Sequence, residues 1–252
     1  MPLIDTQNKI LASKPGRIIL GILVIAIVAL GCVAVFQTSY DVHSKLELIP
    51  DTNDRLISYT TKSNEEFEKY TVKMNQFINS YNIHSENRNI YNCDDDHLPP
   101  RDNVCDVNIR NLGPCTKENY YSYHKSSPCV FLKIKKTPLW EPKYVNASDP
   151  PEKMPEYLKN YIASESIQKK KAVWVSCEGE NDADKENIGP MSYFPSFGVP
   201  HYYFPYTNQQ GYLEPFVAVH FERPTRGVVI FIKCQIWTQD SNDFASFALY
   251  LQ

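Results

Sequence analysis

The sequence predicts a mainly β protein: one membrane-spanning helix near the N-terminus, a stalk helix, and an antiparallel β-sandwich that fills the rest of the chain. Three observations predict it. Ile18 to Phe36 is a run without a formal charge. Strand-like segments separated by turn clusters dominate the second half. Six of the seven cysteines lie beyond the uncharged run, where a large folded domain has to be stabilised.

The uncharged run comes first. As a helix it would span about 28 Å at 1.5 Å per residue, close to the hydrocarbon thickness of a bilayer. It is longer than the apolar core of a cleaved signal peptide and ends Ala34-Val35-Phe36-Gln37, without the small-residue pattern of a cleavage site. Leu30 is misplaced for the lipoprotein signal that Gly31-Cys32 would otherwise suggest. Lys9, Lys14 and Arg17 precede the run against a single Asp5, whereas Asp41 and Glu47 follow it beside Lys45. The positive-inside rule therefore puts residues 1–17 in the cytoplasm as a tail, 18–36 in membrane lipid as an uncleaved anchor, and the remainder outside. Residues 37–62 read as an irregular stem and 63–252 as the disulfide-bonded ectodomain.

The stalk helix follows. Ser63-Asn64-Glu65-Glu66 is a capping-box pattern. Phe67, Tyr70, Met74, Phe77, Ile78 and Tyr81 then recur at helical spacing, which predicts an amphipathic helix over 64–81 whose apolar stripe docks on its own domain.

Residues 82–129 are polar and turn-rich, with four cysteines. Val130 to Lys135 alternates, with Val130, Leu132 and Ile134 on one side, as a half-buried strand should. A short helix is expected around Glu156 to Ile167 in the proline-punctuated connection. Strands are then predicted at Ala172–Cys177, Phe216–Phe221, Val228–Trp237 and Phe244–Leu251. Late strands without a βαβ rhythm favour an antiparallel sandwich. It is immunoglobulin-like only in outline, because none of Trp140, Trp174 and Trp237 lies between Cys177 and Cys234.

Composition narrows the chemistry. Beyond the tail there are 23 basic and 28 acidic residues, and no basic run longer than Lys169-Lys170-Lys171, so nucleic acid is not an expected partner. Cys93, Cys105, Cys115, Cys129, Cys177 and Cys234 are an even set in an oxidising compartment and read as a disulfide framework with fifteen possible pairings. No C-x-x-C occurs, and no metal is expected. Glu178 to Asn187 is acidic, but an EF-hand started at Asp182 would put Asn187 where glycine belongs and Tyr193 where the bidentate glutamate belongs. The nine glycines form no phosphate-binding loop, and neither a nucleophile elbow nor H-E-x-x-H is present. No catalytic residue and no cofactor is predicted, although paired carboxylates that meet only in the fold stay open. Asn146-Ala147-Ser148 is a sequon, so Asn146 is a candidate glycan acceptor.

The segment after Lys171 is the most specific. Trp174-Val175-Ser176-Cys177-Glu178-Gly179 precedes Asp184-Lys185 and Gly189. Tyr202-Tyr203-Phe204-Pro205-Tyr206 and Tyr212-Leu213-Glu214-Pro215-Phe216-Val217-Ala218-Val219 follow. Upstream stand Tyr121-Ser122-Tyr123, Ser127-Pro128-Cys129-Val130 and Trp140-Glu141-Pro142. Together these resemble the β subunits of the animal Na,K-ATPase and gastric H,K-ATPase, over roughly residues 63 to 237. The resemblance implies bridges Cys93–Cys105, Cys115–Cys129 and Cys177–Cys234, the last tying two strands across the sandwich. It implies an immunoglobulin-like ectodomain in a single-pass type II protein of the plasma membrane. The implied role is that of a non-catalytic partner of the catalytic α subunit of a P-type cation ATPase, aiding its folding, assembly and delivery and adjusting potassium affinity. A small single-span regulatory subunit is a further possible partner. Tyr202, Tyr203, Phe204, Pro205, Tyr206, Tyr212 and Leu213 match the family region that faces the pump. Ser126-Ser127 stand where the family usually has glycine. The anchor lacks the family's Tyr/Phe stripe, with Phe36 and Tyr40 its nearest aromatics and so the candidate partner contacts there. That departure supports an alternative, a pump-independent cell-surface adhesion or junction protein of the same fold.

Overall fold

The computed structural model describes residues 45–84, 89–167 and 169–252. The expected tail, anchor and first part of the stem, with Phe36 and Tyr40, lie outside the described residues. Among the described residues, no helix is long and apolar enough to cross a membrane.

Two sheets enclose the core. One has the order β1 (Leu46–Ile49), β5 (Cys129–Ile134), β9 (Phe216–Phe221), β7 (Met191–Phe194); the other is β2 (Leu56–Tyr59), β11 (Phe244–Leu251), β10 (Val229–Trp237), β6 (Ala172–Gly179), β8 (Gly198–Pro200). A small pair, β3 (Ile90–Tyr91) and β4 (Val104–Cys105), stands apart. Pairing within the two large sheets is antiparallel except for β2, which runs parallel to β11. Val130, Leu132, Val217, Val219 and Phe221 share one buried cluster with Val173, Val175, Ile230, Ile232, Leu249 and Leu251 of the second sheet. The stem expectation is corrected from Lys45 onward: β1 and β2 are sheet members, and Leu46, Ile49, Ile57 and Tyr59 are buried.

Helix α1 (Asn64–His84) starts where the cap pattern places it and runs three residues further than the stripe predicts. The Glu66 carboxylate reaches back to accept from the Thr60 N–H (2.9 Å). Phe67, Tyr70, Met74 and Tyr81 are buried against the same domain. The Tyr70 hydroxyl accepts from the Ser58 N–H and donates to the Ser58 carbonyl, tying the helix to β2 (2.8 and 3.0 Å). Phe77 packs on Phe131 and Phe216 of the first sheet, with ring centroids 5.6 and 5.1 Å apart. This sheet is therefore covered on both faces, by its partner sheet and by α1. That corrects the half-buried reading of β5, whose first four residues are all buried.

Helix α2 (Glu156–Ser164) buries Leu158 and Ile162 over Trp174 and Trp237, which are cross-strand neighbours on the outer face of the second sheet. The acidic stretch folds as a short helix, α3 (Asp182–Asn187), capped by Asn181, which accepts from the Asp184 N–H. The buried Asp184 carboxylate accepts from the Phe231 N–H (3.1 Å) and the Asn181 amide (2.6 Å). A Cβ at Gly179 would lie 2.3 Å from the Asp184 and Lys185 backbone, so only glycine lets α3 turn this tightly off β6.

The disulfides are Cys93–Cys105, Cys115–Cys129 and Cys177–Cys234. The last corrects the cross-sandwich bridge that the resemblance implies. Cys177 and Cys234 are register partners on adjacent strands β6 and β10 of one sheet, with Cα atoms 3.9 Å apart.

Between Cys115 and Cys129 two 3-10 turns within Lys117–Lys125, separated by a kink at left-handed Tyr120, Tyr121 and Ser122, end on Ser126, itself in the left-handed conformation, φ +54°. The Ser126 N–H donates to the Tyr123 carbonyl (3.0 Å), but its buried hydroxyl has no hydrogen-bond partner among the described residues. Left-handed backbone costs a serine about 1 kcal/mol or more, and an unsatisfied buried hydroxyl costs about 1–3 kcal/mol. Glycine gives back only about 0.5–1 kcal/mol through its unfolded-state entropy. Ser126→Gly is expected to stabilise the domain by about 1 kcal/mol, an upward shift of about 2–4 °C in thermal melting for a domain of this size; a lower melting point would refute the strain argument.

Candidate partner-binding surface

Short-range backbone geometry builds an aromatic strip along one side of the sandwich. β8 pairs with the edge of β6 and brings the chain to Pro200. The His201 N–H then donates to the Lys171 carbonyl (2.9 Å), and a single 3-10 turn, His201–Tyr203, closes when the Phe204 N–H donates to the His201 carbonyl (3.0 Å). Pro205 follows a cis peptide bond. A turn closed by the Tyr212 N–H on the Gln209 carbonyl contains Gly211 at φ +81° and returns the chain toward β9.

The strip is half-buried throughout: Tyr202, Tyr203, Phe204, Pro205, Tyr206, Tyr212 and Leu213 all fall between core and surface. Tyr203, Phe204 and Leu213 pack against the main core. The Tyr203 hydroxyl donates to the Asp106 carbonyl (2.7 Å) and that of Tyr212 to the Tyr203 carbonyl (3.1 Å). Ring pairs Tyr202–Tyr203 and Tyr206–Tyr212 sit with centroids 4.8 Å apart, and Phe204 meets Trp140 edge-on at 5.4 Å. Burial raises the phenols of Tyr202, Tyr203 and Tyr212 above their ordinary value, with nearby acidic and phenolic groups adding to the effect, so these three hydroxyls stay protonated at physiological pH. Burial pushes the His201 imidazole below its ordinary value, against the pull of Asp95 3.8 Å away.

Two hollows flank Tyr202 and Tyr203. One, of about 350 Å³, also touches Leu98, His201 and Tyr212. The other, of about 420 Å³, touches Tyr81, Asn92 and Arg110. The strip is thus a semi-rigid surface with one side anchored and one side available, the amphipathic arrangement that lets tyrosine supply contact area at little entropic cost. Sequence reasoning found its aromatic residues. It named Trp140 only within the Trp140-Glu141-Pro142 resemblance, not as a support of the strip, and it missed the Asp106 carbonyl; both hold the strip from distant parts of the chain.

Asn146 is exposed in a turn closed by the Asp149 N–H on its carbonyl (3.0 Å), and its side-chain oxygen accepts from the Ser148 N–H (3.0 Å). Among the described residues, no group of three or more His, Cys, Asp or Glu side chains is arranged to hold a metal ion.

These features define a class: a two-sheet β-sandwich stapled by three disulfides and carrying an aromatic strip on one side. The comparisons with known proteins make the class particular. The family model described as "Sodium / potassium ATPase beta chain" matches residues 38–245. Over 200 residues the chain is 46% identical to the sodium/potassium-transporting ATPase subunit beta-2 of Drosophila melanogaster, covering 76% of this chain and 62% of that one. It is 36% identical over 185 residues to the beta-1 subunit of the same organism (73% and 59% covered), and 28% identical over 140 residues to the human beta-2 subunit (53% and 40%). The protein belongs to the sodium/potassium ATPase beta chain family. It spans about three fifths of the length of the Drosophila relatives.

Proposed function

We propose that this protein is a non-catalytic accessory β subunit of a Na+/K+-transporting P-type ATPase. In this reading it assists the folding, assembly and membrane delivery of the catalytic α subunit and adjusts its potassium affinity. It is a single-pass type II protein of the plasma membrane, anchored through residues 18–36 with its C-terminus outside. The sandwich presents Tyr202–Tyr206, Tyr212 and Leu213 to the extracellular side of the pump, Phe36 and Tyr40 contribute near the membrane, and Asn146 carries a glycan. The observation that supports this most strongly is the family match over residues 38–245. Half-burial of the aromatic strip agrees with it, because a contact surface needs groups that are held from behind and still open in front.

The test is co-expression of the full chain with a tagged sodium/potassium ATPase catalytic chain, followed by solubilisation in mild detergent. Stoichiometric recovery and increased surface delivery of the catalytic chain are expected. Recovery only as a free chain, with aggregation of beads coated with the purified ectodomain, would instead select the adhesion reading.

A further inference from the structure

We infer that Leu139 is an apolar anchor that the aromatic strip adds to the pump contact, with Lys136 beside it selecting a partner loop that presents an acidic group. The inference rests on the reading just proposed and deepens it. Leu139 is 79% exposed, as is Ile167, and no large apolar side chain among the described residues is more exposed. It is also held at φ +59°, a conformation that leucine adopts at an energetic cost. An exposed leucine gains nothing within its own domain from either property. Strain of this kind persists where the surroundings impose it, and it concentrates at sites of contact and function.

The surroundings here are the strip itself. The Leu139 N–H donates to the Tyr206 carbonyl (3.0 Å), and Pro138 forms a bridge with Tyr206. On the other side the Trp140 N–H donates to the Thr137 carbonyl (3.2 Å), and the Trp140 ring meets Phe204. The Thr137-Pro138-Leu139-Trp140 turn is therefore pinned at both ends to residues of the strip and projects leucine outward beside Phe204, Pro205 and Tyr206. The Trp140 indole N–H donates to Asp240 (2.8 Å), which fixes the turn from behind.

Charge supplies the partner's character. The exposed Lys136 ammonium lies over the Tyr206 ring, 5.9 Å from its centroid, and pairs with no carboxylate among the described residues. Its backbone N–H is held by Glu214 (2.8 Å). A cation held at the rim of an apolar and aromatic patch fits a protein loop that places a carboxylate beside an apolar hollow. The occupant is thus an extracellular loop of the catalytic chain with that chemistry.

The test uses the full chain co-expressed with the tagged catalytic chain in mild detergent. Leu139→Asn and Leu139→Gly remove the anchor with residues that tolerate left-handed backbone, so both variants should melt at or above the parent temperature. Recovery with the catalytic chain is expected to fall about tenfold, the effect of losing one buried leucine side chain. Lys136→Glu should lower recovery severalfold. If the parent chain pairs and both Leu139 variants pair equally well, the inference is overturned and the function stands. If the parent chain does not pair, the function itself fails. Unchanged pairing with reduced self-association of the Leu139 variants would assign the leucine to a second copy of this chain and would also overturn the inference.

Discussion

Replacing both Cys177 and Cys234 with alanine is expected to destabilise the domain by about 4 kcal/mol, the largest effect of any of the three bridges. These residues are already register partners in adjacent antiparallel strands and are fully buried. The β6–β10 ladder holds them together in the folded state with or without the bond. The bond acts chiefly on the unfolded chain, where it closes a loop of sequence separation 57 that contains α3, β7, β8, the aromatic strip and β9. The chain-entropy model gives about 4 kcal/mol for such a loop. The other bridges span separations of 12 and 14 and are expected to contribute about 3 kcal/mol each, because the dependence on length is only logarithmic. Thermal melting of the double variant should fall by roughly 8–16 °C at about 2–4 °C per kcal/mol. A melting point within a degree or two of the parent would mean that the bond does not form or does not constrain the unfolded chain.

Much of this architecture is legible in the sequence where a residue's environment is set by its near neighbours. Phe216–Phe221 and Phe244–Leu251 have the predicted bounds, because turn formers precede mainly apolar runs broken only by His220 and Ser246. The start of α1 falls where its cap pattern lies, with Glu66 reaching back to the Thr60 N–H. What escapes is set by distant partners. β1 and β2 have four residues each, too short for a period to emerge, and they are strands because β5 and β11 supply the missing halves of their ladders. β7 and β8 lie in a segment rich in proline and glycine that reads locally as turns. Whether Cys177 and Cys234 join two sheets or two strands of one sheet depends on register, which spacing does not encode. The strip divides in the same way. Its aromatic residues are visible in the sequence, but what holds them is distant: Trp140 packs on Phe204, and the Asp106 carbonyl accepts from the Tyr203 hydroxyl 97 residues away.

Phe131→Ala is expected to cost about 4 kcal/mol, and to act first on α1. Phe131 is fully buried in β5, between Ile49 of β1 and Ala218 of β9. Its ring lies 5.6 Å from Phe77 of the helix, 5.7 Å from Tyr121 and 5.1 Å from Phe216, centroid to centroid. Truncating a buried phenylalanine commonly costs about 3–5 kcal/mol, from lost transfer energy and from the cavity left behind. Neighbouring rings are stiff and do not fill such a cavity by changing rotamer. The lesion sits on the face of the first sheet that α1 covers, not between the sheets. Native-state amide exchange should therefore accelerate over Asn64–His84 more than in β10 and β11, which pack on the far side. Val72→Ala, at an exposed position on the same helix, is the control and should change stability by less than about 0.5 kcal/mol. Uniform acceleration of exchange in Phe131→Ala would mean that helix and sandwich unfold as one unit; a melting point close to the parent's would mean that α1 is not held to the sheet through this ring.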